Sequence, residues 1–402
     1  MKIGILTYYR VANFGANLQA LSTYFYLNNH VYHLFFIHFM PADLYNWTND
    51  ASNSQKQEHL RFIDSILGDD QSKLIHSGDD MTAVIQDNGI EGLIIGSDSL
   101  LQHHPLLERI KAGRRRPFWI QKVSSDRMFP NLFWGCGLPN TLPKAIMAVS
   151  SQNSKYKLFS PTVKRRMKQS LSSFGYISVR DEWTKQLVKS VTSKDVDVTP
   201  DPVFAFNQNC KELLAKAPDV KHKFSIPDKY VLVSLGSQCL SMNQLKDLKE
   251  QLESQGKSCV ALPMPTGLSF CHPFDYEIKC PLCPLDWYNL IKYSCGYIGS
   301  NMHPIVVSLH NAVPCYSIDY WVNTNFWNNP VNDGSGKVEH IMNVFGTSSN
   351  RTILENGKCI TSVSEIVGSL SNFPVKSVAA KATEYYQRYL KMMANIENSF
   401  CI

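Results

Sequence analysis

Six short segments carry polar or ionisable residues where a hydrophobic run gives way to a helical pattern, which is where α/β proteins build their sites. Near the start, Asn13-Phe14-Gly15-Ala16-Asn17-Leu18-Gln19 forms a polar, glycine-containing turn running into a helix. Backbone N–H groups and the amides of Asn13 and Asn17 can meet a ligand there, and the same residues serve equally well as a helix cap. Gly96-Ser97-Asp98 ends a second run, where Asp98 can accept a proton from a sugar hydroxyl or cap a helix. Ser178-Val179-Arg180-Asp181-Glu182 puts an arginine at a strand end, suited to a carboxylate or phosphate and equally to an ion pair with Asp181 or Glu182. In Thr199-Pro200-Asp201-Pro202-Val203 the prolines fix a turn, and Asp201 reads as structural. Gly236-Ser237-Gln238 follows the first apolar run of the second half and is a candidate phosphate-facing loop. The most suggestive segment is Gly299-Ser300-Asn301-Met302-His303-Pro304, where His303 falls at the start of an apolar helix. A helix N-terminus attracts phosphate, and a histidine there can move a proton near neutral pH.

Those segments need elements to hold them, and short β-rich runs alternate with helical stretches through the whole chain. That alternation predicts parallel sheets with crossover helices. Strands are expected at 2–9, 31–37, 92–97, 145–150 and 176–180, then at 230–235, 258–262, 295–299 and 313–318. Residues 205–228 turn polar and Lys-rich, which suggests a hinge. The expected architecture is α/β, with two Rossmann-like domains facing across a cleft at 1–215 and 226–376. An amphipathic helix over 377–402 is expected to pack back on the first domain.

Composition narrows the classes. With 402 residues, 44% hydrophobic and 11% aromatic, the chain can fill two cores. Its net charge of +6 is mild and scattered, which suits an anionic small substrate or membrane surface and argues against nucleic acid. No apolar run approaches the ~20 residues of a membrane span, and the N-terminus has no signal-peptide pattern, so a cytoplasmic protein with reduced cysteines is expected. Cys280-Pro281-Leu282-Cys283 has zinc-ligand spacing, but its neighbours Cys271 and Cys295 are unpaired, so buried thiols are the preferred reading and no metal is expected. The absence of Gly-x-Gly-x-x-Gly after either first strand argues against a nicotinamide dehydrogenase.

The ordered set resembles the polysaccharide pyruvyl transferase family. The resemblance rests on Asn13-Phe14-Gly15 with Leu18-Gln19, Gly96-Ser97-Asp98, Ser178-Val179-Arg180-Asp181, Pro200-Asp201-Pro202, and Ser300-Asn301-Met302-His303 with Ser308-Leu309 and Val313-Pro314; Lys337 to Arg351 resembles the family's tail weakly. It implies a glycosyltransferase B-like fold and transfer of a pyruvyl group from phosphoenolpyruvate to a sugar, often as a ketal, in capsule or exopolysaccharide synthesis. It implies Arg180 as a donor-binding residue; Ser300 and Asn301 of the matched motif, with the loop residues Gly236 and Ser237, are expected around the donor. His303 becomes a general acid, and Asp98 is expected to position or deprotonate the acceptor hydroxyl beside Asn13 and Asn17. Phosphoenolpyruvate acts as a co-substrate, and no separate cofactor is implied. A polyprenyl-diphosphate-linked acceptor at the inner membrane face goes with the resemblance, with patches such as Arg114–Arg116 available to touch that surface. The chain departs from the family at Asn301, where many members carry arginine, and at Ser99-Leu100-Leu101 in place of Gln-Val-Trp. The alternatives are a nucleotide-sugar glycosyltransferase of the same architecture and a catalytically degenerate binding subunit.

Overall fold

The computed structural model describes residues 1–30, 32–44, 53–112, 117–236, 238–320 and 323–400. Its first sheet holds β1 (Lys2–Leu6), β2 (His33–Ile37), β3 (Gly92–Asp98), β4 (Lys144–Val149), β5 (Tyr176–Val179) and β6 (Asp197–Val198), in the order β2-β1-β3-β4-β5-β6. Every neighbouring pair is parallel. The second sheet holds β7 (Tyr230–Ser234), β8 (Ser258–Ala261), β9 (Tyr276–Glu277), β10 (Gly296–Gly299), β11 (Cys315–Asp319) and β12 (Arg351–Ile353), in the order β9-β8-β7-β10-β11-β12. It too is parallel throughout.

Strands covered by helices on both faces need apolar side chains on both faces. β4 and β7 are buried at every position, as the near-continuous hydrophobic runs at 145–149 and 230–233 require. In each sheet the chain winds outward from its first strand and then reverses to the other side of it. The reversals fall between β1 and β3 and between β7 and β10, which opens a crevice at the carboxyl ends of those strands.

The helices that shape this crevice and its walls are α1 (Phe14–Asn28), α2 (Ser54–Leu67), α3 (Glu182–Thr192), α4 (Pro284–Lys292), α5 (Met302–His310), α6 (Lys337–Val344) and α7 (Val375–Phe400). α1 is buried from Phe14 through Thr23, so it runs inside the molecule rather than over it, and its small and apolar residues follow from that. Its Phe14 ring stacks on Trp287 of α4, with centroids 4.8 Å apart and an interplanar angle of 14°. One hydrophobic cluster therefore runs from Ile3 and Leu18 beneath the first sheet to Tyr230 and Ile305 beneath the second. α7 contributes Tyr389 and Met393 to the same cluster and packs against β4 and β5. The two sheets are joined by a shared core.

Residues 205–228 form short helices at Phe206–Asn209, Lys211–Ala215 and Val220–Phe224. The first strand is shorter than the apolar run suggests: it stops at Leu6, and the Thr7 hydroxyl donates to the Ser97 carbonyl (2.7 Å) where the chain turns into the crevice. β6, β9 and β12 have only two or three residues each, too short to stand out in the sequence. Among the described residues no helix is long and apolar enough to cross a membrane.

Candidate active site

The crevices of the two sheets meet in one cavity of about 760 Å³, lined among others by Tyr8, Asn13, Asp98, Arg180, Ser300, His303 and Lys337. Asp98 reaches it from the end of β3, where Gly96 adopts φ +131° and a side chain would run into the Met147 carbonyl. Ser97 then turns inward, its hydroxyl donating to the Ala148 carbonyl (2.7 Å), while the Asp98 carboxylate accepts from the Ser99 N–H (2.6 Å) and lines the cavity.

Arg180 follows β5 and is 6% exposed. Its Nη1 donates to Asp201 Oδ2 (2.7 Å), and its Nε is buried without a partner among the described residues. The ion pair lies 21 residues away in sequence, not with Asp181 or Glu182 beside it. Asp181 instead caps α3, accepting from the Thr184 N–H and hydroxyl at 2.7 Å each. Asp201 is more than the turn residue its prolines suggest. One oxygen accepts from the Val203 N–H (3.0 Å) and holds the turn, while the other takes Arg180 and the Gln19 amide. The surrounding Asp201, Asp98 and Asp181 carboxylates outweigh burial and hold the Arg180 guanidinium more firmly protonated than usual.

From the other side, α5 brings His303 to within 3.5 Å of Gln19 Nε2. Burial disfavours the imidazolium and lowers its pKa; Arg180 and Lys337 push the same way, and Asp201 and Asp98 oppose them. Asn301 stands at the N-cap of α5 but makes no capping hydrogen bond; its amide meets Met264 Sδ (3.2 Å). The first-turn N–H groups of α5 thus have no side-chain cap, a feature of helix ends that bind anions. Ser300 lines the cavity, and its hydroxyl accepts from the Gly236 N–H (3.1 Å), tying the two loops at the reversal of the second sheet. Gly236 does not line the cavity itself, and Ser237 lies outside the described residues.

Lys337 is the residue that reading along the chain placed only in a weak tail. It opens α6 after Gly334-Ser335-Gly336 and donates to the Ser99 hydroxyl. Burial, then Arg180, lowers its pKa to about 8 against the pull of Asp98, Asp181 and Asp201. A lysine whose charge is opposed by an arginine lining the same cavity, at the positive end of a helix, signals a place suited to an anion. The glycines preceding Lys337 and the weak tail resemblance that begins at it were its sequence signals.

Asn13 and Asn17 part company. Asn13 lines the cavity and caps α1, accepting from the Ala16 N–H (3.4 Å). Asn17 is fully buried, donating to the Tyr9 carbonyl (2.7 Å) and meeting His59 Nδ1 (2.6 Å), and is not brought to the cavity. Burial keeps His59 neutral, its pKa lowered to about 4. Among the described residues no three His, Cys, Asp or Glu side chains converge as a metal site requires, and burial raises the thiol pKa values of Cys280 and Cys283.

Two parallel α/β domains meeting at such a cavity define the glycosyltransferase B fold. Among solved structures, the chain is similar to a putative UDP-N-acetylglucosamine 2-epimerase from Listeria monocytogenes, with TM-score 0.56 and 12% identity over 99% of this chain and 96% of that one. It is also similar to UDP-GlcNAc 2-epimerase from Neisseria meningitidis bound to UDP-GlcNAc, with TM-score 0.50 and 11% identity over 97% of this chain and 100% of that one. At such identities the likeness establishes the fold and nothing finer. No curated protein sequence matches the chain. The model of the polysaccharide pyruvyl transferase family matches residues 13–321, most of the chain, and the protein belongs to that family.

Proposed function

We propose that the protein transfers the pyruvyl group of phosphoenolpyruvate to a sugar, closing a ketal across two hydroxyls, in capsular or exopolysaccharide synthesis. The observation that carries this reading is the convergence of Arg180, Lys337 and His303 with the Asp98 carboxylate in one cavity fed by both sheets. Two cations and an uncapped helix end suit a ligand bearing both a carboxylate and a phosphate. Lys337 supplies the second cation that position 301, an asparagine here, does not.

In this reading protonated His303 gives its proton to the methylene carbon of the enolpyruvyl group, leaving an oxocarbenium-like carbon. Binding of the anionic donor favours that protonated form, against the burial that otherwise disfavours it. The first sugar hydroxyl attacks the carbon and loses its proton to Asp98. The second hydroxyl displaces phosphate, which leaves with that hydroxyl's proton, and the ring closes. Arg180, Lys337 and the start of α5 stabilise the charge that builds on the departing phosphate. The acceptor is a sugar carried on a polyprenyl diphosphate, and the protein works at the inner face of the plasma membrane.

A thermal-shift titration tests the donor. Phosphoenolpyruvate should raise the melting temperature in a dose-dependent way, with the rise lost in Arg180→Ala and weakened in Lys337→Met. A rise with UDP- or CMP-sugars and none with phosphoenolpyruvate would establish a nucleotide-sugar glycosyltransferase instead. Normal donor binding with no turnover on any acceptor would mark a binding subunit.

A further inference from the structure

Thirteen large hydrophobic side chains are exposed among the described residues, and six of them lie on or beside two ribbons that touch: Leu106, Leu107, Phe118, Ile120, Phe326 and Trp327. They come from two ribbons, one from each domain. Ile110–Lys111 pairs with Trp119–Ile120 after the short helix Leu106–Arg109, and Asn323–Thr324 pairs with Pro330–Val331. The ribbons touch: the Ala112 N–H donates to the Phe326 carbonyl (2.9 Å), and the Phe118 and Phe326 rings lie 6.1 Å apart. Leu107, Phe118 and Trp327 are 69%, 70% and 65% exposed. Apolar side chains of this size are not left in water in such a cluster without a use.

Charge narrows what covers them. Residues 105–124 carry six Lys and Arg to one acid, Glu108; Arg114, Arg115 and Arg116 lie outside the described residues and the Lys111 ammonium is buried on Thr324, while Arg109 and the exposed Lys122 flank the first ribbon. Glu108 is buried and spent on His104 (3.0 Å) and the Lys155 N–H, so it does not offset that excess. Lys155 adds a further cation, donating to the Thr324 carbonyl (2.7 Å). A second copy of the chain docked through this face would bring two cationic patches together. Exposed phenylalanine, tryptophan and leucine with the exposed Lys122 beside the first ribbon match the boundary of an anionic bilayer, where rings enter the headgroup region and cations meet lipid phosphates.

The face also leads to the active site. Arg109, Lys111, Trp119 and Lys122 line a groove of about 530 Å³ that shares Leu44, Gln102, Arg127 and Gln152 with the catalytic cavity. We infer that the two touching ribbons form a docking surface for an anionic lipid bilayer, which sets the groove against the membrane. This deepens the reading of a lipid-carried acceptor, but docking itself needs no substrate.

Co-sedimentation with vesicles tests it, with no donor or acceptor present. The full chain should pellet with vesicles of phosphatidylcholine and phosphatidylglycerol and stay in solution with phosphatidylcholine alone. Binding should be lost in about 1 M salt, where charges are screened beyond ~3 Å. Phe326→Ser with Trp327→Ser should weaken partitioning at least ~10-fold, and Lys122→Ser about 5-fold. Both variants should keep the wild-type melting curve and the wild-type thermal shift with phosphoenolpyruvate. Failure of the wild type to bind anionic vesicles would overturn the inference. So would equal binding to both vesicle types, or a dimer in solution that the Phe326/Trp327 variant dissolves. If vesicles bind but phosphoenolpyruvate gives no thermal shift, the docking surface stands and the donor assignment falls.

Discussion

Gly15 lies directly against the imidazole of His303, so close that a Cβ at position 15 would stand 2.0–2.3 Å from three of its ring atoms. The two residues come from different domains and stand 288 positions apart, and neither owes its place to the other's neighbours in sequence. The glycine that follows Phe14 leaves room for the histidine, and the Phe14 ring stacked on Trp287 fixes the distance between α1 and the second domain. Gly15→Ala must therefore move His303 or part the domains. Turnover should fall ~10²-fold or more, the scale a misplaced acid costs, while the protein stays folded. Steady-state kinetics with a melting curve checks this, and an unimpaired Gly15→Ala enzyme would remove His303 from the chemistry.

His303→Gln keeps the volume near Gln19 but cannot donate a proton of the right acidity. The expected loss in kcat is ~10²–10⁴-fold, with the thermal shift by phosphoenolpyruvate retained. The pH profile carries a second signature. Burial and two neighbouring cations hold the free protein's imidazole below its ordinary pKa, so the protonated form that the proposed proton transfer needs is lost as pH rises through that lowered value. An anionic donor beside the ring favours the imidazolium. The descending limb of kcat should therefore lie at higher pH than that of kcat/KM, and both should vanish in the variant.

Lys337 is protonated below about pH 8 and neutral above it. An anion held by that ammonium is bound most tightly on the acidic side, so donor affinity should weaken as pH rises through about 8. Lys337→Met should abolish that pH dependence and weaken donor binding by ~10-fold, the scale of one charge-assisted hydrogen bond. Thermal-shift titrations at several pH values measure both effects.

Asp201 and Arg180 form an ion pair whose side chains are 2% and 5% exposed. Removing one partner strands the other's charge in the interior. Asp201→Ala should lower stability by ~3 kcal/mol or more, read from chemical denaturation. An exposed pair would cost far less, so a change below ~1 kcal/mol would mean that the guanidinium is solvated through the cavity.

Asn17→Ala separates structure from catalysis. It leaves the Tyr9 carbonyl and His59 Nδ1 without their buried partner, at a cost of ~1–3 kcal/mol. Because Asn17 does not reach the cavity, the thermal shift with phosphoenolpyruvate should match the wild type once the lower starting stability is allowed for. A selective loss of acceptor turnover would instead return it to the acceptor site.

The sequence by itself determined the alternating elements, because a buried parallel strand must be apolar on both faces and that requirement is local, as 92–97, 145–149 and 230–233 display. It also marked Asp98, Arg180 and His303, since each stands where an apolar run meets a helix start. Those local signals stop at what each residue touches. Asn13 and Asn17 look alike along the chain, yet the winding of α1 turns one toward the cavity and the other into the core. Arg180 has acids on both following positions, yet it pairs with Asp201 because β5 and the turn after β6 lie side by side in the sheet. Lys337 and His303 enter the site of Asp98 only because one hydrophobic cluster locks the two sheets face to face. Residue type and spacing record which atoms can do chemistry; which of them share a cavity is decided by burial at long range, where one-dimensional spacing holds no information.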